Sequence, residues 1–196
     1  MKKVFVALVI VVVSGICNMS KAQDFLSADA SAFRMQSRFI SGIDLYIAPS
    51  TTVQNTSLVP TSVNFKAGYK FGTVQALGTL GIQYLNSENF IPLGLELKKY
   101  FSTNKWAPFI YGRGGYSIHL KRNINSRYNT ADYAQYDPAL FAGVGVGYSV
   151  VSTLNEFYFS LGYYYHQLEE IIAIKDGETR TDLSMNGVAL TVGFTF

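Results

Sequence analysis

The sequence predicts an all-β chain, an eight-stranded antiparallel up-and-down transmembrane β-barrel, and three observations predict it. Apolar residues recur with a period of two from Arg38 onward, in runs of about ten residues. The connections between these runs alternate between short and longer. The composition, with 14 Tyr, 14 Phe and 17 Gly against one Trp, favours strands over helices.

The first 22 residues read as an address. Lys2 and Lys3 precede an unbroken apolar run from Val4 to Val13, and Ser20 and Ala22 suit cleavage before Gln23. The expectation is a signal peptide over residues 1–22, exported through the Sec pathway. Its apolar run is too short for a transmembrane helix, and no later stretch reaches the 18 or so residues that one needs. The formal charge of +3 comes entirely from Lys2, Lys3 and Lys21, since no acid precedes Asp24. The remaining chain is neutral, which removes any argument for nucleic acid. Cys17, the only cysteine, lies in the same segment, so no disulfide or thiolate metal site is expected after cleavage. The rival reading, a lipid-anchored Cys17 in "SGIC", is disfavoured by Ile16, where a small residue belongs. Residues 23–37 show no period and are expected to be a lead-in to the barrel at 38–196.

The eight runs follow in order at about 38–48, 62–72, 75–85, 91–101, 109–120, 139–149, 156–166 and 186–196. The first places Ile43, Leu45 and Ile47 on one side, and the second Val63, Phe65, Ala67, Tyr69 and Phe71. The third continues with Leu80, Ile82 and Tyr84, the fourth with Leu93, Leu95, Leu97 and Phe101. Lys99 intrudes there near a strand end, where its stem can snorkel. The fifth holds "GRGGY" at 112–116, and the sixth carries Val144, Val146 and Tyr148. The seventh has Phe157, Phe159, Leu161, Tyr163 and Tyr165, and the last Val188, Leu190, Val192, Phe194 and Phe196. Each run is long enough to cross a bilayer when tilted, whereas soluble strands are usually about half that length.

Short connections join runs two and three, four and five, and six and seven, all at one end. Trp106 falls in the second of these turns. The longer connections, including "KRNINSRYNTADYAQYDP" and "QLEEIIAIKDGETRTDLSM", fall at the other end, as in a transmembrane barrel with an even strand count. A soluble ligand barrel would instead turn its apolar face inward. The strand length, the loop alternation and the aromatics toward strand ends favour the membrane arrangement.

The opposite face carries Asp44, Lys66, Lys70, Glu96, Lys98, Arg113 and His119, interleaved with Gly68, Gly94, Gly143, Gly145, Gly147 and Gly162. Eight strands leave an interior that side chains fill, so these charges are expected to form a paired structural network. An ion path through the same residues is the alternative.

"IPLGLELKKYF", "APFIYGRGGYSIHL", "FAGVGVGYSV" and the terminal "GVALTVGFTF" together resemble the small eight-stranded outer-membrane barrels of the OmpX and OmpA-transmembrane-domain kind, closest to the short variety of Bacteroidota. The resemblance spans 38–196. It implies a monomer in the bacterial outer membrane, with lipid and lipopolysaccharide around it and the barrel-assembly machinery as a partner. It also implies an assembly signal at Phe194 and Phe196, although Thr191 stands where the usual pattern places a Gly.

No enzyme is expected. The histidine and serine that lipid-A-deacylating barrels place two apart are missing, because Leu120 and Lys121 follow His119, and Gln167 and Leu168 follow His166. "GRGGY" lies inside a strand pattern with no helix after it, and "DGETRTD" at 176–182 lacks calcium-loop spacing. No cofactor or metal is expected.

The role expected is therefore structural or surface-interacting. Loop 121–137 offers Lys121, Arg122, Arg127, Tyr128, Tyr133 and Tyr136, and loop 167–182 offers Glu169, Glu170, Asp176, Glu178 and Asp182. Arg and Tyr are favoured interface residues, although solvated loops have the same composition. A narrow pore is the first alternative, and a lipid-modifying enzyme the second.

Overall fold

A computed structural model describes residues 38–52, 57–85, 88–120, 134–152, 155–174 and 177–196. Residues 1–37, with the expected signal peptide, lead-in and Cys17, lie outside them. The strands are β1 (Arg38–Ile47), β2 (Ser50–Thr52), β3 (Ser57–Leu58), β4 (Thr61–Phe71), β5 (Val74–Leu85), β6 (Glu88–Tyr100), β7 (Trp106–His119), β8 (Ala134–Tyr136), β9 (Ala139–Val151), β10 (Glu156–His166), β11 (Glu169–Ile174), β12 (Gly177–Asp182) and β13 (Met185–Thr195).

Eight long strands form the wall. β1, β4, β5, β6, β7, β9, β10 and β13 pair in that order, each antiparallel to the next, and β13 returns to β1. The closing ladder runs from Gly42 opposite Thr195 to Ile47 opposite Leu190. Beyond it Ser41 N–H donates to Phe196 O at 3.0 Å and Phe196 N–H to Ser41 O at 2.8 Å, so closure continues to the final residue. A closed ring has no strand edge left to satisfy, which is the condition for placing a sheet in hydrocarbon.

The short turns all lie at the end that holds Arg38 and Phe196. Gly72 and Thr73 join β4 to β5, with Gly72 at φ +57°, a backbone conformation that favours glycine. Lys99 Nζ donates to Thr73 Oγ1 at 2.6 Å across this turn. Between β6 and β7 the chain turns within Phe101–Lys105, where Asn104 N–H donates to Ser102 Oγ at 3.1 Å. Here the structure differs from the sequence expectation: Trp106 is not in the turn but opens β7, and β7 continues through Pro108. Proline lacks only the donor, and its carbonyl still accepts from Phe101 N–H at 3.0 Å.

The far end departs further from the expectation of plain loops. β2 and β3 form a small hairpin that extends the wall, Thr52 lying opposite Met185 of β13. β8, β11 and β12 form a separate three-stranded sheet beyond the barrel, in the order β12-β11-β8. β-Branched residues, Ile171, Ile172 and Ile174 on β11 with Thr179 and Thr181 on β12, favour this continuation of strand beyond the membrane span.

The apolar parity of every wall strand points out. Leu95 is 69% exposed, Ile82 and Val144 62% and Phe65 60%, in mid-strand positions that only hydrocarbon would cover. Aromatic rings edge this band at the short-turn end: Phe39, Tyr69 and Phe71 run in series at 5.6 and 6.1 Å, and Trp106, Tyr148 and Phe159 at 6.1 and 6.2 Å. Tyr84, Tyr116, Tyr163 and Tyr165 are exposed toward the opposite end. The molecule is an all-antiparallel transmembrane barrel, with its polar core inside and its apolar surface outside.

An arginine at a lipid-facing mid-strand position has no route to water. Leu95→Arg should therefore destabilise the folded protein by about 2–4 kcal/mol, measured by urea unfolding in lipid vesicles. An unchanged midpoint would mean that this face does not meet lipid.

Candidate functional site: the charged lumen

Alternation along four strands brings the inward charges together. Asp44 sits on β1, Lys66 on β4, Glu96 and Lys98 on β6, and Arg113 on β7 opposite Glu96. Lys66 Nζ bridges two carboxylates, pairing with Asp44 Oδ2 and with Glu96 Oε2, the latter at 2.6 Å. Glu96 Oε1 reaches Lys98 Nζ at 3.4 Å. Asn64 Nδ2 donates to Asp44 Oδ1 at 2.8 Å, and Tyr158 O–H to Asp44 Oδ2 at 3.0 Å. Lys98 Nζ lies 3.3 Å from the centre of the Tyr158 ring, and the Arg113 guanidinium 3.8 Å from that of Tyr46. The ion-paired side chains are at most 2% exposed, so their charges depend on one another.

Two of the charges anticipated from sequence lie outside this cluster. Lys70 is fully buried in a layer nearer the short turns, 6.0 Å from the Tyr100 ring. The carboxylate of that layer is Glu156, which accepts Tyr100 O–H at 2.5 Å and Gln75 Nε2–H at 3.2 Å. His119 lies at the opposite mouth, with Nε2 3.1 Å from Glu88 Oε2. The charges thus form layers along the barrel, not one constellation.

Sequence reasoning missed Glu156 and Tyr158 and weighed His166 only as a catalytic candidate, although their even positions on β10 place all three inward with Ser160 and Tyr164. It also assigned the aromatics to the outside alone. Tyr46, Tyr100, Tyr111, Tyr158 and Tyr164 point in and, with Phe109 and Phe141, fill the lumen above and below the ion pairs. The inward glycines make room for these rings. A Cβ on Gly147 would strike the Phe109 ring, one on Gly193 the Tyr158 ring, and one on Gly162 the Tyr111 hydroxyl.

A buried apolar cluster closes the mouth opposite the termini: Leu85, Phe90, Tyr136, Ala139, Leu168 and Met185. His166 lies beneath it, fully buried, with ring contacts to Phe90, Phe141 and Tyr164. Tyr136 belongs to this plug, contrary to its assignment to a free binding loop. Burial and its 2.9 Å hydrogen bond to Glu170 push the Tyr136 hydroxyl above its usual pKa. Glu169 pairs with Arg180 at 3.5 Å, and Ser184 N–H donates to Asp182 Oδ1 at 2.8 Å, which holds that carboxyl below its usual range. Lys121, Arg122, Arg127, Tyr128, Tyr133 and Asp176 lie outside the described residues.

What space is left is small. A cavity of about 20 Å³ lies beside Arg113, bordered by Tyr46, Asn64, Lys66, Gln83 and Tyr164, room for a guest the size of one water.

No family model matches the chain, and no curated protein matches it. Solved structures do. Neisserial surface protein A is 15% identical at a TM-score of 0.55, over 82% of this chain and 97% of that one. The outer membrane protein OprG from Pseudomonas aeruginosa is 12% identical at 0.57, over 82% and 95%. The outer membrane protein AlkL, solved in DMPC bilayers by solid-state NMR, is 9% identical at 0.58, over 83% and 90%. At these identities the likeness is one of fold: the chain has the architecture of small eight-stranded outer-membrane barrels.

Removing one carboxylate would leave three buried cations facing a single acid. Glu96→Gln should cost about 3–5 kcal/mol in equilibrium urea unfolding in detergent micelles, far more than the same change at a surface Glu. A cost below about 1 kcal/mol would show that Glu96 does not hold the cluster together.

Proposed function

We propose that the protein is a monomeric bacterial outer-membrane barrel with a lumen that stays closed, acting as a structural or surface-interaction protein and not as a pore or an enzyme. The observation that carries this reading is the filled interior. From Glu156 through the Lys66 cluster to the plug around Phe90, every layer is occupied by buried side chains, and the cavity beside Arg113 admits one water-sized guest. Opening a path would mean separating ion pairs that have no solvent to replace them. The inward charges Asp44, Lys66, Lys70, Glu96, Lys98, Arg113 and His119 are accordingly assigned a structural role.

Contact with partners then falls to the surface beyond the membrane. β8, β11 and β12 form a sheet within the segments at 121–137 and 167–182, and Arg180 is exposed on it. A cell-surface or envelope partner, or lipopolysaccharide phosphate, is the class of ligand these residues suit. Against catalysis, neither His119 nor His166 hydrogen-bonds a serine among the described residues, so neither forms the His–Ser pair of an acyl hydrolase there. Phe194 and Phe196, on the strand that closes the barrel, are assigned to recognition by the assembly machinery.

In planar lipid bilayers the purified protein should give no resolved single-channel conductance. Steady openings that change on Lys66→Ala would overturn the closed-lumen reading in favour of a narrow pore.

A further inference from the structure

The geometry points to a binding site for a single halide-sized anion inside the barrel, in the cavity that Arg113 and Tyr46 both border. Two independent features converge on that cavity.

The first is hydrogen bonding. Arg113 Nε and Tyr46 Oη are both buried, both lack a hydrogen-bond partner, and both residues border the same cavity. A guanidinium N–H donates only, and a phenol O–H most readily donates, so the cavity presents two donors that await one acceptor. Leaving buried donors unsatisfied is costly, and their convergence on one small space is the arrangement expected where a bound species completes the shell.

The second is charge. Lys66, Lys98 and Arg113 face only Asp44 and Glu96 in the cluster, and no carboxylate lies within 4.0 Å of Arg113 among the described residues. The next layer holds the cations Lys70 and Arg38 with the single carboxylate Glu156, so it brings no spare acid to Arg113. Arg113 cannot shed its proton, and the ring of Tyr46 under the guanidinium offers only a partial counter-charge.

Three occupants or adjustments compete, and the anion alone meets both features by itself; water together with a neutral Lys98 would also meet both, and melting that does not depend on chloride is its signature. A water would accept from both donors but leave the cation uncompensated. A neutral Lys98 would restore charge balance but leave both donors unsatisfied. A monatomic anion does both. The size agrees: about 20 Å³ leaves room for a chloride or bromide. With Phe141 and Tyr164 buried beside the cavity, the anion is assigned a structural role and not that of a passenger in transit. This inference does not depend on the proposed surface role.

The test has two arms. Crystals of the refolded full-length protein grown with bromide in place of chloride should show an anomalous peak within hydrogen-bond distance of Arg113 Nε and Tyr46 Oη. In detergent micelles at constant ionic strength, the melting temperature should rise as sodium chloride replaces sodium gluconate. Tyr46→Phe keeps the ring and removes the donor, and should raise the chloride concentration for half the effect about tenfold. Arg113→Gln removes the excess charge and should abolish the dependence; should that variant not fold, Tyr46→Phe alone decides. Absence of bromide with equal melting in both salts would assign the cavity to water and overturn the proposal. A bromide peak with a chloride midpoint unchanged in Tyr46→Phe would overturn it too, as an adventitious ion only.

Discussion

Closure of β13 onto β1 is the constraint from which the remaining features follow. A backbone group left unpaired in hydrocarbon costs several kcal/mol, so a sheet that crosses the membrane, with no spanning helix among the described residues, must bring its last strand back to its first. The paired amides of Ser41 and Phe196 complete that ring at the very end of the chain. Closing after eight strands fixes a narrow interior, and period-two alternation then forces half of every strand into it. Once Asp44, Lys66, Glu96 and Lys98 are inside, they have only each other.

The interior resolves this crowding with three kinds of residue that need one another. Charges pair in the middle, tyrosines cap them with hydroxyls and ring faces, and glycines on the facing wall leave the rings room. Tyr158 shows the coupling: its hydroxyl reaches Asp44, its face receives Lys98, and its ring lies over Gly193. Neutral rings thus do some of the work that carboxylates would otherwise do, and the cation excess near Arg113 is the residue of that arrangement. A paired network of this kind opposes hydration of the lumen.

Strand number, parity and loop alternation were legible in the sequence because each rests on a local period. The positions of Ile82, Leu95 and Val144 followed from it directly. The ends were less legible: residues 106–108 fell in the expected turn before the fifth run, and Ile171–Ile174 in an expected loop, because pairing with a neighbouring strand overrides local preference. The lumen was half legible. Its charges were visible as intrusions into an apolar pattern, but Tyr46, Tyr100 and Tyr158 were not, since a tyrosine suits a lipid interface and a packed interior equally well. Which charges share a layer depends on strand stagger, which composition and period do not encode. That is why Lys70 and His119 separate from the cluster, Lys70 sharing its layer with Glu156.

The central claim is that the apolar parity meets lipid while the polar parity is sealed from water. Nitroxide labels placed singly at residues 159, 161 and 163 on the outer face of β10, and at Ser160 on its inner face, test it directly in lipid vesicles. The three outer labels should be relaxed strongly by dissolved oxygen and not by a water-soluble nickel chelate, and the label at 160 by neither. Strong relaxation of the outer labels by the nickel chelate would place that face in water and contradict the account.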